Sequence, residues 1–259
     1  MAPFNHSSRV HPTNGFKCNR SKFGKRRSGS SFTPLSDSNL IAWYDPSVGE
    51  GTGYTLDGSS ETDDIYDLSG NSNTLSQITT GFTINSASQN GLDTFNVSTD
   101  RMEGSISGTN NQPWTIICAF RYTGTPNDIG EAVLQNSAGS AWSWNTDHGD
   151  FNTPPNSIVR LIPGSGSKTT QTATDTNWHI LALVYDGADS AVYVDGTVEE
   201  SYYTDNATDT TQVALANLRW GLGLSSGEFG DLIFVQGNVA SSNLEDYVNY
   251  LSNKWGISV

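Results

Sequence analysis

The stretch that decides the fold is WHILALVYDG, from Trp178 to Gly187, followed by VYVDG from Val192 to Gly196. Both runs are rich in β-branched and aromatic residues, which favour strands. An Asp-Gly pair ends each run, and this pair is a strong signal for a tight turn between antiparallel strands. The two runs therefore predict neighbouring strands, with a second hairpin turn at Asp195 and Gly196.

A further apolar run, Trp114 to Tyr122, alternates with a period of two and is partly apolar on both faces, as in an inner strand of a sandwich. Shorter segments of the same kind occur at 157–162, 217–221 and 230–235. Clusters of Gly, Asn, Asp and Pro separate them, without helical patterns in between. This spacing predicts an all-β sandwich.

One helix is predicted near the end of the sequence. Residues 242–245, Ser-Asn-Leu-Glu, fit a capping box, and Gly256 supplies a stop. Four residues at helical spacing form an apolar stripe: Leu244, Val248, Leu251 and Trp255. We expect this short helix to dock on the sandwich and to close an edge or one end of its core.

The composition excludes several classes of protein. Of the 259 residues, 15% are charged, against about 25% in average domains, which argues against a helical bundle or coiled coil. No stretch approaches the roughly 20 apolar residues of a membrane-spanning helix, so we expect no membrane partner. Two cysteines are too few for a disulfide-dense scaffold or a four-cysteine zinc site.

Charge divides the chain into two blocks. The formal net charge is −14, yet residues 1–30 contain seven basic residues and no acidic one. The remainder holds six basic residues against all 27 acidic ones, a balance of −21. A basic arm joined to an acidic body is typical of tails that bind something negative. We therefore predict an extended N-terminal arm at 1–35 and one domain at 36–259.

The basic side chains of the arm are its predicted partner-binding residues: Arg9, Lys17, Arg20, Lys22, Lys25, Arg26 and Arg27. We do not expect a secretory signal, because no apolar run follows these basic residues, whereas an organelle transit peptide remains an alternative. The favoured interpretation is an anchoring arm, held by a partner surface or by neighbouring copies. Nucleic acid is a less favoured partner, because the only aromatic residues interleaved among the basic residues from Arg9 to Arg27 are Phe16 and Phe23.

The hairpin from Trp178 to Gly196 resembles the central hairpin of concanavalin A-like and laminin-G-like domains. Three flanking motifs agree with phage virion and bacterial surface members of that family: LIAWYD at 40–45, DLSGN at 67–71 and YLSNKWGI at 250–257. The resemblance covers roughly 36–259 and implies a jelly-roll sandwich of two antiparallel sheets. It does not fix the function, because one fold hosts many activities.

No catalytic constellation is predicted. A retaining glycanase needs two carboxylates about 5–5.5 Å apart, and no Glu-x-Asp-x-x-Glu pattern that would place them on one strand occurs. His179 lies inside a strand and is interpreted as a hydrogen-bonded structural histidine. His148 is the one histidine predicted in a loop of the domain, and no Gly-x-Ser-x-Gly nucleophile elbow accompanies it. We expect the protein not to be an enzyme.

The best segment for recognition runs from Trp142 to Asn152. It combines aromatic rings with carboxylate and amide groups, the two kinds of group that bind the faces and hydroxyls of sugars. The predicted glycan-binding residues are Trp142, Trp144, Asp147 and His148. The alternative is that the two tryptophans share one strand face and belong to the core.

Metal binding stays open. Four aspartates, Asp57, Asp63, Asp64 and Asp67, cluster in a glycine-rich stretch, and carboxylate oxygens suit calcium. Their spacing matches no EF-hand loop, and acidic loops are usually only solvated. We therefore predict no cofactor and leave calcium as the alternative.

These observations favour a virion structural protein, a phage capsid decoration or surface protein located on the virion surface. The arm would contact the capsid shell or another virion protein, the lectin-like body would be exposed, and copies would form a homo-oligomer. The alternative is a carbohydrate-binding adhesin that recognises host or surface glycans without a capsid role.

Overall fold

Two antiparallel sheets lie face to face in the computed structural model of the chain. The structure describes residues 32–98, 100–123, 131–136, 142–148, 157–162, 167–174, 176–199, 202–205, 215–221 and 227–259. The compact unit extends over Phe32–Val259. The predicted boundary between 35 and 36 stays a prediction, although Phe32 already packs on Tyr247 with ring centroids 4.8 Å apart.

The first sheet has eight strands, numbered in chain order. They are β1 (Leu40–Tyr44), β5 (Thr83–Gln89), β6 (Leu92–Val97), β8 (Trp114–Tyr122), β13 (His179–Tyr185), β14 (Ala191–Val194), β15 (Thr197–Val198) and β18 (Gly227–Gln236). Their order is β15-β14-β13-β8-β18-β6-β5, and β1 pairs with β18 beside β6. The predicted β13–β14 hairpin is confirmed by the register from Leu181–Val194 to Val184–Ala191.

The second sheet has ten strands. They are β2 (Tyr54–Leu56), β3 (Thr62–Ile65), β4 (Leu75–Gln77), β7 (Met102–Asn110), β9 (Glu131–Gln135), β10 (Ser143–His148), β11 (Ser157–Ile162), β12 (Ser167–Thr174), β16 (Tyr202–Asp205) and β17 (Leu215–Trp220). Their order is β16-β12-β11-β10-β9-β17-β7-β4-β3-β2. The all-β sandwich is therefore confirmed.

The strand β18 occupies the centre of the eight-stranded sheet. Its first residues pair with β6, its later residues pair with β1, and β8 lies along its other side. The register against β8 shifts between Phe229 and Leu232, which marks a bulge at Gly230 and Asp231. Bulges re-aim side chains, and this one places Asp231 in the polar cluster described below.

The two faces of β8 fill two different cores, as the alternation predicts. Trp114, Ile116 and Cys118 belong to the core between the sheets, whereas Ile117 and Ala119 face the C-terminal helix. Both faces are buried because the helix covers the outside of this sheet. Because both faces are buried, one face of β8 is entirely apolar and the other face is mostly apolar.

The C-terminal helix, α1 (Leu244–Trp255), is present, and Gly256 ends it in the left-handed conformation at φ 65°. It covers the outer face of the eight-stranded sheet and does not close an edge or an end. The predicted capping box is wrong: the backbone amide of Ser242 already bonds to Val239 in a preceding 3-10 turn, so Asn243 is the first cap residue. Among the described residues no helix is both long and apolar enough to cross a bilayer.

Candidate functional site

Trp142 and Trp144, two of the predicted glycan-binding residues, lie in the core between the sheets. Both side chains are 0% exposed. The ring of Trp142 meets Trp114 edge to face at 5.0 Å, and the ring of Trp144 meets Phe120 at 5.2 Å. Neither ring offers a free face to a sugar, so the prediction is wrong for these two residues and the core alternative holds.

Asp147 and His148, the other two predicted glycan-binding residues, belong to β10. Their backbones pair with Ile158 and Ser157 of β11, so His148 lies on a strand and not in a loop. Their role in binding stays a prediction. The predicted arm residues fall outside the described residues, and their partner-binding role also stays a prediction.

Of the four aspartates in the predicted calcium alternative, Asp57 and Asp67 accept hydrogen bonds in turns, whereas Asp63 and Asp64 lie in β3. Both carboxylate oxygens of Asp67 accept hydrogen bonds, from the amides of Trp43 and Ser69 on one side and from Asn73 on the other. Asp57 accepts in the same way from the amide of Ser59. Within the part of the chain that the structure describes, no three acidic, histidine or cysteine side chains form a metal-binding group.

His179 has the structural role that its position predicts. Its Nδ1 lies 2.8 Å from Oδ2 of Asp195, and the other carboxylate oxygen of Asp195 accepts from the amide of Ile180 at 2.9 Å. Asp195 lies in the turn after β14 with φ 51°. The pair therefore fastens this turn to the start of β13.

A polar cluster lies where β5, β6, β8 and β18 meet. The side chain of Glu228 is 4% exposed, and its Oε1 accepts a hydrogen bond from Arg121 Nη2 at 2.7 Å. Its Oε2 accepts from Ser88 Oγ at 2.5 Å and from Thr94 Oγ1 at 2.9 Å. Burial raises the pKa of Glu228, but the hydrogen bonds from these three residues outweigh it and lower the pKa below 4.5 overall.

Trp178 lies between this polar cluster and solvent. Its ring lies 5.4 Å from the Arg121 guanidinium carbon and is nearly parallel to the ring of Trp255, 6.1 Å away. Trp178 is partly exposed, and the side chain of Arg121 is 30% exposed. We call Trp178 and Arg121 the Trp178 patch. An indole with a guanidinium held beside it offers an apolar ring surface and hydrogen-bond donors together.

A second cluster, which we call the Asp231 box, is buried under α1. Asp231 is 0% exposed and accepts from Trp43 Nε1 at 2.5 Å and from Trp255 Nε1 at 2.6 Å. Lys254 Nζ lies 2.9 Å from Asp231 and 2.5 Å from Asp45. Burial raises the pKa of Asp231 to about 6, the charge of Asp45 adds to this rise, and Lys254 opposes it.

The cations whose side chains the structure describes are all paired with carboxylates. Arg101 and Arg219 contact Glu103, Arg121 contacts Glu228, and Lys254 contacts Asp45 and Asp231. These pairs use few of the 27 acidic residues of the chain. The surface of the compact unit therefore carries a large excess of negative charge.

No protein-family model and no curated protein sequence matches this chain. Solved structures do match its fold. Domain 4 of AbnA, an extracellular GH43 arabinanase from Geobacillus stearothermophilus, in complex with arabinotriose, matches with TM-score 0.53 and 14% identity. The match covers 81% of this chain and 98% of that domain.

Binding domains of botulinum neurotoxins match as well. The type DC domain in complex with rat synaptotagmin II has TM-score 0.59 at 8% identity, over 85% of this chain and 52% of that one. A structure reporting that cell entry of type C depends on two ganglioside molecules has TM-score 0.53 at 10% identity, over 72% and 48%. These likenesses establish the fold. The chain spans about half the length of the neurotoxin structures that it matches.

Sequence reasoning missed Glu228 and Asp231, the central acids of both clusters. They interrupt an otherwise apolar strand, GEFGDLIFVQ, from Gly227 to Gln236. Because charged residues are rarely fully buried unless they are paired, an acid inside a buried strand indicates a partner. That signal was available, but the partners Arg121 and Lys254 are 107 and 23 residues away along the chain.

Proposed function

We propose that the compact unit is a carbohydrate-binding module, in line with the adhesin alternative that the sequence predicts. The observation that carries this proposal is the match to the arabinotriose-bound domain 4 of AbnA, which extends over 98% of that domain. The correspondence is therefore between whole modules. The type DC neurotoxin domain has also been solved in complex with SialylT, although that match covers 52% of its chain. The proposed role is binding without catalysis.

We further propose that the preferred ligand is an uncharged oligosaccharide. Residues 31–259 carry six basic against 27 acidic residues. A surface with this excess repels anionic ligands over about 10 Å at 0.1 M salt. Uncharged sugars bind through ring stacking and hydroxyl hydrogen bonds and are not subject to this repulsion.

The Trp178 patch is the proposed contact surface. Trp142 and Trp144 are enclosed in the core, whereas Trp178 is partly exposed and keeps Arg121 beside its ring. Glu228 holds the guanidinium in place from below, since its carboxylate is anchored by Ser88 and Thr94. A pre-positioned donor next to an aromatic ring lowers the ordering cost of binding.

Binding is tested by titrating the full chain with arabinotriose in a calorimeter and by screening it on a glycan array. Trp178→Ala should weaken binding by about tenfold or more, because a stacked ring contributes on the order of 1.4 kcal/mol. The control is Ile78→Ala, which alters a side chain that is 48% exposed on the other sheet. It should bind as the unaltered protein does.

A third variant, His148→Ala, separates the two locations considered for the site. Loss of binding in His148→Ala with retention in Trp178→Ala would place the site on β10 and refute the Trp178 patch. Absence of binding to every uncharged glycan on the array would refute the proposed function itself.

A second candidate function is attachment to a virus particle, which the charge distribution favours. We propose that the arm binds an anionic shell, another virion protein or neighbouring copies through its seven basic residues, and that the body lies on the virion surface. The segregation of charge supports this proposal, because a cationic segment free of acids can form many charge-assisted contacts at once. The structures named above include no virion protein.

Deleting residues 1–30 tests this second function. The truncated chain should fold as the full chain does by circular dichroism but should no longer co-sediment with particles. A matched variant that replaces the seven basic residues by glutamine, with the length of the arm unchanged, should behave in the same way. Co-sedimentation by either variant would contradict the proposed attachment.

A further inference from the structure

Lys254 and Asp45 bring an amine and a carboxyl group into direct contact. Lys254 Nζ lies within hydrogen-bonding distance of Asp45 Oδ2. The two side chains are only 16% and 3% exposed. They come from the two ends of the unit, 209 residues apart in sequence. Holding two reactive groups in this way can replace a very high concentration of one of them.

A third group is placed to move protons between them. Asp231 Oδ2 lies 2.9 Å from Lys254 Nζ. The indole N–H groups of Trp43 and Trp255 fix its two oxygens at 2.5 Å and 2.6 Å. Because burial raises the pKa of this carboxyl to about 6, it can both accept and release a proton near neutral pH.

The carboxyl group of Asp45 is polarised from its other side. Its Oδ1 accepts from the amide of Ser47 at 2.9 Å and from the hydroxyl of Ser47 at 2.7 Å. Two donors on one oxygen stabilise the negative charge that develops there when a nucleophile adds to the carbon. The oxygen that faces Lys254, Oδ2, is the one left to depart.

Aromatic rings enclose the ammonium group of Lys254. The centroids of Trp255, Tyr250 and Trp43 lie 5.2 Å, 5.7 Å and 6.0 Å from Nζ. Such an enclosure keeps bulk water away, so that the release of a water molecule is favoured and the reverse hydrolysis is slowed.

We propose that Lys254 and Asp45 form an intramolecular isopeptide bond, with Asp231 as the proton carrier. Asp231 takes a proton from the ammonium group, and Oδ2 of Asp45 receives that proton, so that a neutral amine faces a neutral carboxyl group. The nitrogen lone pair then adds to Cγ, and the negative charge develops on Oδ1. A second proton moves from the nitrogen to Oδ2, the bond from Cγ to Oδ2 breaks, and Oδ2 leaves as water. One ammonium and one carboxylate give one amide and one water, Asp231 is regenerated, and no other reactant is required.

Intact mass spectrometry of the purified, folded chain tests the proposal directly. The mass should be about 18 Da below that of the sequence, one water having been lost. Digestion should yield a branched peptide that joins the segment around Asp45 to the segment around Lys254. A mass equal to that of the sequence, allowing for removal of the first methionine, would overturn the proposal and leave an ion pair.

Three variants identify the role of each group. Lys254→Arg keeps the charge but cannot form the amide, so its full mass should be retained. Asp231→Asn keeps the nucleophile and the acceptor but removes the proton carrier, and it should also retain its full mass. Asp45→Asn should lose about 17 Da, because ammonia then departs in place of water. A loss of about 18 Da in Lys254→Arg would show that the bond lies elsewhere and would refute the assignment.

Discussion

Trp220→Ala is expected to lower the free energy of unfolding by about 4 kcal/mol, the range observed when a large aromatic side chain is deleted from a core. Trp220 is 0% exposed at the end of β17. Its ring packs against Phe229 at 5.0 Å, Phe82 at 5.1 Å and Phe95 at 5.6 Å. Alanine would leave a cavity that these rigid rings cannot fill.

Urea denaturation followed by tryptophan fluorescence and circular dichroism measures this effect. Ile78→Ala, at an exposed position, is the control and should change the free energy of unfolding by less than about 0.5 kcal/mol. A loss below about 1 kcal/mol in Trp220→Ala would mean that the two sheets do not share the aromatic core described above.

Glu228→Ala is expected to destabilise the protein by about 2 kcal/mol at pH 7, because it removes the buried carboxylate that pairs with the partly exposed guanidinium of Arg121. It also removes the acceptor of Ser88 and Thr94. Glu228→Gln keeps the shape of the side chain and part of the hydrogen bonding, and should therefore cost less than the alanine variant.

The pH dependence of these two proteins gives a sharper test. The pKa of Glu228 is lower in the folded state than its usual 4.5, so its ionic contribution is present above about pH 4.5 and is lost as the pH falls through the lowered pKa. The difference in unfolding free energy between the unaltered protein and Glu228→Gln should thus shrink from pH 7 to about pH 3. Asp231 is common to both proteins and cancels. A difference that stays constant with pH would contradict the ionic role of Glu228.

Local signals predicted the strands and hairpins well. The β13–β14 hairpin follows from alternation and an Asp-Gly turn, both readable within twenty residues. The limit appears at Trp142 and Trp144: a period of two reveals that they share a face, but not whether that face points to the core or to water. Only the packing of β10 beside β9 and β11, set by distant parts of the chain, decides this.

Long-range charge pairing was also beyond local patterns. Lys254 reads as a solvated residue in the last turn of a helix, where a cation is favoured in any case. That it meets Asp45 and Asp231 depends on β1 pairing with β18 and on α1 lying across the sheet. The N-terminal arm differs from Lys254 in this respect. Its local charge pattern does predict attachment, but the partner that it would contact cannot be read from the sequence.

The position of β18 has a consequence for how this protein is made. The first strand, β1, pairs with residues 232–235, which the ribosome adds almost two hundred residues later. At about 5–20 residues per second, the nascent chain therefore waits on the order of ten seconds or more before its first strand meets that neighbour. During synthesis the early apolar segments are exposed to chaperones and to other nascent chains, and slowing translation should increase losses to aggregation.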